Sequence, residues 1–312
     1  MTTSSAIDAA TTDGGAVVVA GVRVTHPERV LFDELGLTKG ALARYYESVA
    51  QWMLPELRDR PLSLVRCPQG PGEGCFFQKN IDERFSAEIE RIPVELGGGG
   101  VYAAANSIGA VVGLVQMGVI ELHSWGSTTQ DLSKPDRMVF DLDPDPSVPW
   151  REVMAAAHTL RERLESLGLD SFVKTSGGKG VHVLVPLARR HEWDEAKDFS
   201  RAVAEWLAAD EPRRFTTKMA KKERTGRIFI DYLRNAEGAT TIAAYSVRAR
   251  RGAPVSTPLH WDELGGRLKP DTFNVANVAR RLQQGVRPDP WKAFRRTAHT
   301  LTAAMKRKLG IA

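Results

Sequence analysis

The chain has 312 residues, 42% of them hydrophobic and 26% charged, with a formal net charge of +5. That length allows one large domain or two lobes around a substantial core, and the charge is too mild to imply a polyanionic partner by itself. No basic segment leads into an apolar one as in a secretory leader, and the longest apolar run, 108–120, is too short to span a bilayer and is broken by Gln116. The two cysteines suggest a reducing, cytoplasmic setting. Cys67 and Cys75 stand too far apart for a CxxC pair, and no second pair completes a zinc site.

Residues 1–15 are rich in Ser, Thr, Ala, Asp and Gly and read as a disordered tail or linker. Structure is expected from 16 onward, in a catalytic domain with an N-terminal module over about 16–135 and a second part over about 136–312. Val22-Arg-Val24 alternates like a strand. Thr38 is a candidate N-cap for a helix over 38–57, with Leu42, Tyr45, Val49 and Met53 on one face. Strands are predicted at 62–65 and 75–78, a mobile loop at 97–100, and a core helix across 108–120 that leaves His123 near its end. A strand at 138–140 precedes a helix over 150–167 that stops at Gly168. Strands follow at 172–174 and 181–186, then a helix at 194–209. Strands at 227–231 and 240–244 come next, and an amphipathic helix near 291–309 closes the chain. Strands and helices mix without strict βαβ order, which predicts an α+β fold.

In Arg137-Met-Val-Phe-Asp-Leu-Asp-Pro144, Asp141 and Asp143 lie two apart where a strand ends, so both carboxylates share one face. Their repulsion is relieved by protonating one or by binding a cation, and hard divalent ions suit such oxygen sites. Asp145 and Glu152 extend the spacing toward a calcium-binding loop, but Pro146 occupies the position where that loop needs glycine. Ile228-Phe-Ile-Asp231 repeats the pattern of an apolar strand ending in aspartate. A third carboxylate from a second strand is what a pair of ions about 3.5–4 Å apart requires.

Thr175-Ser-Gly-Gly-Lys-Gly180 joins two strands. It lacks Walker A spacing, yet its small residues allow backbone amides to approach phosphate oxygens, with Lys179 adding a charge and His182 following on the strand. A flexible hairpin with a solvated lysine is the plainer alternative. Arg213 to Arg227 holds seven basic residues against Glu223 alone, and Arg248, Arg250 and Arg251 form a second cluster. Such runs are ordinarily solvated faces, but beside an acidic metal site they suit a polyanionic substrate. Phe76-Phe77 beside Lys79 offers a platform for an unpaired base. Adjacent residues on a strand face opposite sides, so one of the two is expected in the core.

Together the motifs Thr25-His-Pro-Glu-Arg-Val-Leu31, Cys75-Phe-Phe-Gln-Lys79, Gly118-Val-Ile-Glu-Leu-His123, Val139-Phe-Asp-Leu-Asp-Pro144, Thr175-Ser-Gly-Gly-Lys-Gly-Val-His182, Arg227-Ile-Phe-Ile-Asp231 and Thr240-Thr-Ile-Ala-Ala-Tyr-Ser-Val-Arg248 resemble the polymerase domain of bacterial ligase D, in the archaeo-eukaryotic primase superfamily. The resemblance runs from about Val22 to the C-terminus. It implies a primase-like palm, an RRM-like antiparallel sheet with flanking helices, joined to an N-terminal α/β module. It also implies that Asp141, Asp143 and Asp231 are catalytic and bind metal, and that Ser176, Lys179 and His182 meet the triphosphate. His123, Arg224 and Arg248 match further nucleotide-site positions. Arg29 and Lys39 match the pair that grips a downstream 5′-phosphate, and Phe76 and Phe77 match aromatics packed on DNA near the templating base. Arg29 stands where some members carry lysine, and Ala244 where some carry proline.

The implied activity is template-directed nucleotide addition at DNA gaps and double-strand breaks during nonhomologous end joining. It uses two divalent metal ions, manganese preferred or magnesium, takes nucleoside triphosphates, and favours ribonucleotides. Implied partners are gapped or broken DNA with a 5′-phosphate, Ku, and the ligase and phosphoesterase modules of ligase D. Two other classes suit part of the pattern: a two-metal nuclease, and a non-catalytic end-bridging module. The glycine loop separates the nuclease, which has no pyrophosphate to hold, and the intact acidic set separates the bridging module.

Overall fold

The computed structural model describes residues 11–12, 15–95, 99–285 and 287–311. Most of the expected N-terminal tail, and residues 97 and 98 of the expected mobile loop, lie outside the described residues. The described part opens with an antiparallel sheet of β1 (Thr11–Thr12), β2 (Ala16–Val19) and β3 (Val22–Thr25), then a ribbon of β4 (Val30–Phe32) and β5 (Leu37–Thr38). Helix α1 (Lys39–Leu57) begins at Thr38, whose hydroxyl accepts from the Ala41 amide, as the N-cap reading predicts.

Next come β6 (Leu62–Arg66), β7 (Phe76–Gln78), β8 (Glu90–Val94), β9 (Gly100–Ala104), α2 (Ile108–Gln116) and β10 (Val119–Trp125). The expected helix across 108–120 is therefore too long. It stops at Gln116, and Gly118, at φ +79°, turns the chain into a strand. A side chain at Gly118 would press on Pro68, with its Cβ 3.0 Å from the Pro68 Cα. His123 consequently sits on β10, where it shares a face with Glu121 rather than following a helical stripe.

The second lobe follows. Its elements are β11 (Arg137–Pro144), α3 (Trp150–Ser166), β12 (Phe172–Thr175), β13 (Val181–Pro186), α4 (Trp193–Asp210), β14 (Phe215–Thr216), β15 (Ile228–Asp231), β16 (Thr240–Ile242) and β17 (Pro258–Leu259). One sheet runs β14-β15-β11-β13-β12-β17, antiparallel except where β14 parallels β15. The other runs β16-β10-β6-β9-β8, with β7 also on β6. Strand β16 thus returns from the second lobe to close the first lobe's sheet against β10.

Period-two alternation decides what each face of β11 meets. Met138, Phe140 and Leu142 are buried in a core with Ala157 and Leu160 of α3 and Phe199 and Val203 of α4. Val139 belongs instead to the core shared with α1, α2 and the first sheet. Asp141 and Asp143 continue the Val139 side, so they open into the cleft between lobes.

The expected C-terminal helix near 291–309 is also corrected. Short helix α5 (Val278–Gln283) is followed by a single 3-10 turn at Phe294–Arg296, an extended stretch, and α6 (Ala303–Lys308). The stretch pairs with the end of β13, the His299 amide donating to the Pro186 carbonyl and the Ala188 amide to the His299 carbonyl. Those backbone bonds cannot be made from within a helix.

Candidate active site

Strand register brings together residues that the sequence leaves scattered. Asp141 lies directly opposite Asp231 on β15 and opposite His182 on β13, and His182 lies opposite Lys174 on β12. One row across four strands therefore reads Lys174, His182, Asp141, Asp231, with Asp143 one pleat further along β11. Side chains directly opposite on antiparallel strands have Cβ atoms about 5 Å apart, which puts the carboxylates within mutual influence.

The charges of that row are balanced by cations. Arg234 Nε stands 3.1 Å from Asp231 Oδ2 and 3.7 Å from Asp141 Oδ2. Lys179 Nζ approaches Asp143 Oδ1 at 3.0 Å, and Arg224 Nη1 donates to Asp143 Oδ2 at 3.2 Å. His182 Nε2 is 3.5 Å from Asp141 Oδ1, while its buried Nδ1 has no hydrogen-bond partner among the described residues. Burial, reinforced by Asp231 and Asp143 and opposed by Arg234, raises the Asp141 carboxyl to about 6. Burial and then the Lys174, Arg234 and Arg248 charges push His182 well down, so its imidazole is neutral.

Three carboxylates from two neighbouring strands form an all-oxygen donor set of the kind hard divalent cations prefer. Among the described residues no group of three or more His, Cys, Asp or Glu is preformed to hold a metal ion. The basic side chains supply the counter-charge. Lys179 and Arg234 are 52% and 43% exposed, so both can swing into solvent. The raised Asp141 pKa marks a carboxylate stripped of solvent and, to a lesser degree, crowded by Asp231 and Asp143, a cost that an added cation offsets, and on donor chemistry the three aspartates fit such a group. Asp145 does not join them, because its Oδ1 is engaged by the Ser147 amide and hydroxyl in a local turn.

The glycine loop is tightly built rather than a floppy hairpin. Ser176 Oγ donates to the Gly180 carbonyl and accepts from the Gly178 amide. Gly177 has φ +65°, and a Cβ there would come within 2.7 Å of the Arg248 Cγ. Arg248 Nη1 donates to the Ser176 carbonyl at 2.8 Å, and Lys179 Nζ to the Pro144 carbonyl at 2.7 Å. A cleft of about 100 Å³ gathers His123, Asp141, His182, Arg234, Thr240, Thr241, Ile242 and Arg248. Arg234 went unnoticed in the sequence, although its place three residues after Asp231 was the available signal. Arg224 lies across the Phe229 ring at 3.8 Å, beside Asp143.

Arg29 and Lys39 meet at a separate pocket of about 230 Å³, together with Arg66, Pro68 and residues 115–119. Arg29 Nη1 donates to the Pro68 carbonyl, and Lys39 Nζ to the Thr25 carbonyl. Burial, with Arg29 adding repulsion, lowers Lys39 to about 8. Arg66 was not foreseen. Its guanidinium lies 5.3 Å from the Phe76 ring and so ties this pocket to β7.

Phe76 and Phe77 are both exposed, at 49% and 51%, which corrects the expectation that one is core. The reason is that β7 pairs with β6 alone and lies off the main path of its sheet, so neither face is fully covered. The Phe77 and His123 rings meet edge to face, with centroids 5.8 Å apart. Cys67 and Cys75 are joined by a disulfide across the Pro- and Gly-rich turn before β7, a pairing that reading them against metal and redox spacings did not anticipate.

The sequence profile described as the LigD primase-polymerase domain matches residues 38–291. A multifunctional nonhomologous end joining protein LigD of Pseudomonas aeruginosa is 44% identical over 292 residues, covering 93% of this chain and 35% of that protein. The LigD proteins of Mycolicibacterium smegmatis and Bacillus subtilis are 35% and 28% identical, over 78% and 84% of this chain and 32% and 43% of theirs. The chain thus spans between about 32% and 43% of the length of these relatives. Among solved structures, the polymerase domain of Mycobacterium tuberculosis ligase D in complex with DNA superposes with a TM-score of 0.82 at 28% identity, covering 89% of this chain and 99% of that one. The antiparallel sheets and flanking helices agree with that fold, α+β with a primase-like palm on an N-terminal module. No helix among the described residues is long and apolar enough to cross a membrane. With the profile covering most of its length, the chain belongs to the LigD primase-polymerase domain family.

Proposed function

We propose that this domain adds nucleotides to DNA 3′ ends at gaps and double-strand breaks during nonhomologous end joining, with a preference for ribonucleotides. The observation that carries the reading is the opposition of Asp141 to Asp231 across β11 and β15, with Asp143 beside them and basic side chains on every free edge. The primer 3′-hydroxyl attacks the α-phosphorus of a nucleoside triphosphate, one phosphodiester bond forms, and pyrophosphate leaves. Two divalent cations, manganese or magnesium, held by Asp141, Asp143 and Asp231, would neutralise the phosphates and make that hydroxyl easier to deprotonate.

The chain's own residues do the rest. Lys179, Arg224 and Arg248 offset the triphosphate charge, and the glycine loop presents backbone amides to its oxygens. Neutral His182 and His123 flank the cleft and orient the nucleotide by hydrogen bonding. Arg29 and Lys39 bind a downstream 5′-phosphate, and Phe76 and Phe77 stack on DNA at the exposed edge. Ku and the ligase and phosphoesterase modules of ligase D are the proposed partners.

The test is primer extension on labelled, gapped, 5′-phosphorylated DNA, comparing manganese with magnesium and ribo- with deoxyribonucleotides. Lengthened product supports the reading. Shortened product identifies a nuclease, and no change of length with tight DNA binding identifies a bridging module.

A further inference from the structure

We propose that Glu121 is a positioning residue for the incoming nucleotide, one carboxylate that holds both His123 and Arg248 in place. The inference deepens the nucleotide site described above and rests on that reading. Glu121 is 5% exposed and does not line the cleft, so it acts through its neighbours.

Strand β10 makes the arrangement. Glu121 and His123 lie two apart on one face, and a bulge between Val119 and Glu121 re-aims the strand just before them. Glu121 Oε2 is 2.8 Å from His123 Nε2, which leaves Nδ1 as the ring's remaining polar atom. The Phe77 edge contact bounds the same ring from β7. Ring orientation is therefore set from both sides.

The second oxygen reaches the other lobe's loop. Oε1 accepts the Ala249 amide at 2.8 Å and lies 3.1 Å from Arg248 Nε. That approach is an ion pair but is poorly aligned, and Arg248 Nε has no hydrogen-bond partner among the described residues. Attraction, together with the anchored Ala249 amide, thus fixes the guanidinium, and its Nη1 continues to the Ser176 carbonyl. A single charge links β10 to the glycine loop. Burial alone would raise its pKa, but His123, Arg248 and the Ala249 amide outweigh it and bring Glu121 to about 2. It stays ionised and serves as an anchor, not as a proton donor.

The experiment measures KM and kcat for a nucleoside triphosphate on gapped DNA, and DNA affinity without nucleotide, for the parent, Glu121→Gln and Glu121→Asp. Loss of a charged hydrogen bond predicts that Glu121→Gln raises KM about tenfold, with kcat within about threefold and DNA affinity unchanged. Glu121→Asp keeps the charge on a shorter arm and gives an intermediate KM. An unchanged KM for Glu121→Gln overturns the proposal, as does an equal loss of KM, kcat and DNA affinity, the mark of a merely structural ion pair. If Glu121→Gln does not fold, a raised KM in Glu121→Asp with intact DNA binding supports the proposal and an unchanged KM overturns it. A parent that extends no primer refutes the underlying polymerase reading instead, so the two failures are distinct.

Discussion

Asp141 and Asp231 face each other directly across neighbouring antiparallel strands, and the Arg234 guanidinium bridges the two carboxylates. The pair brings like charges together in a partly desolvated cleft and relies on a movable side chain for balance. Removing Asp141 is therefore expected to be costly for chemistry and harmless for folding. Asp141→Asn should lower kcat by about a thousandfold while gapped-DNA affinity, read by fluorescence anisotropy, stays within about twofold. Retained extension would refute its assignment.

The same residue predicts a pH dependence of stability. Its folded pKa of about 6 lies above the usual carboxylate value, so the folded state holds the proton more tightly than the unfolded chain. Stability should fall as pH rises from about 4 to about 6, with the full penalty present above that. Asp141→Asn should lose this component. Manganese should raise the melting temperature of the parent at pH 7.5 and leave that variant unmoved, because only the parent keeps the full carboxylate set.

Lys39 gives the opposite titration. Its folded pKa of about 8 is depressed, so burying its charge costs stability below pH 8, and that cost is relieved between about 8 and 10.5. If this pocket binds a phosphate, it needs the protonated form. The affinity advantage of 5′-phosphorylated over unphosphorylated gapped DNA should therefore shrink by about fivefold or more between pH 7 and 9.5. Arg29→Ala with Lys39→Ala should erase the advantage at either pH.

Gly177 combines φ +65° with a neighbour too close for any side chain. Gly177→Ala should destabilise the protein by about 1–3 kcal/mol and displace Arg248 from the Ser176 carbonyl. Its nucleotide KM should rise more than its DNA dissociation constant. Unchanged melting and kinetics would show that the loop relaxes freely.

The Cys67–Cys75 bridge closes a short loop whose Pro68 carbonyl holds Arg29. A chain-entropy estimate for so small a loop is about 2–3 kcal/mol. Treating the protein with a dithiol, or substituting Cys75→Ser, should lower the denaturant midpoint accordingly and weaken discrimination for the 5′-phosphate. A variant that remains sensitive to reductant would contradict the pairing.

Much of the site was legible in the chain alone, because its signals are local. An apolar strand ending in Asp-Leu-Asp fixes two carboxylates on one face by the pleat, and Thr38, the glycine loop and the basic clusters are likewise read from near neighbours. The three aspartates, the glycine loop and the basic pair were named from sequence, whereas Arg234, Arg66 and the part taken by Glu121 were not. Tertiary structure decided what they face. Register sets Asp231 opposite Asp141, the loop after β16 folds back to put Arg248 against Glu121 beside His123, and only the off-path place of β7 leaves both phenylalanines exposed. Gly118 ends a helix that periodicity would prolong, and backbone pairing of His299 with the β13 end replaces a helix with an extended segment. Such outcomes depend on contacts between segments distant in the chain, and side-chain spacing along one segment carries no information about which strand will pair beside it.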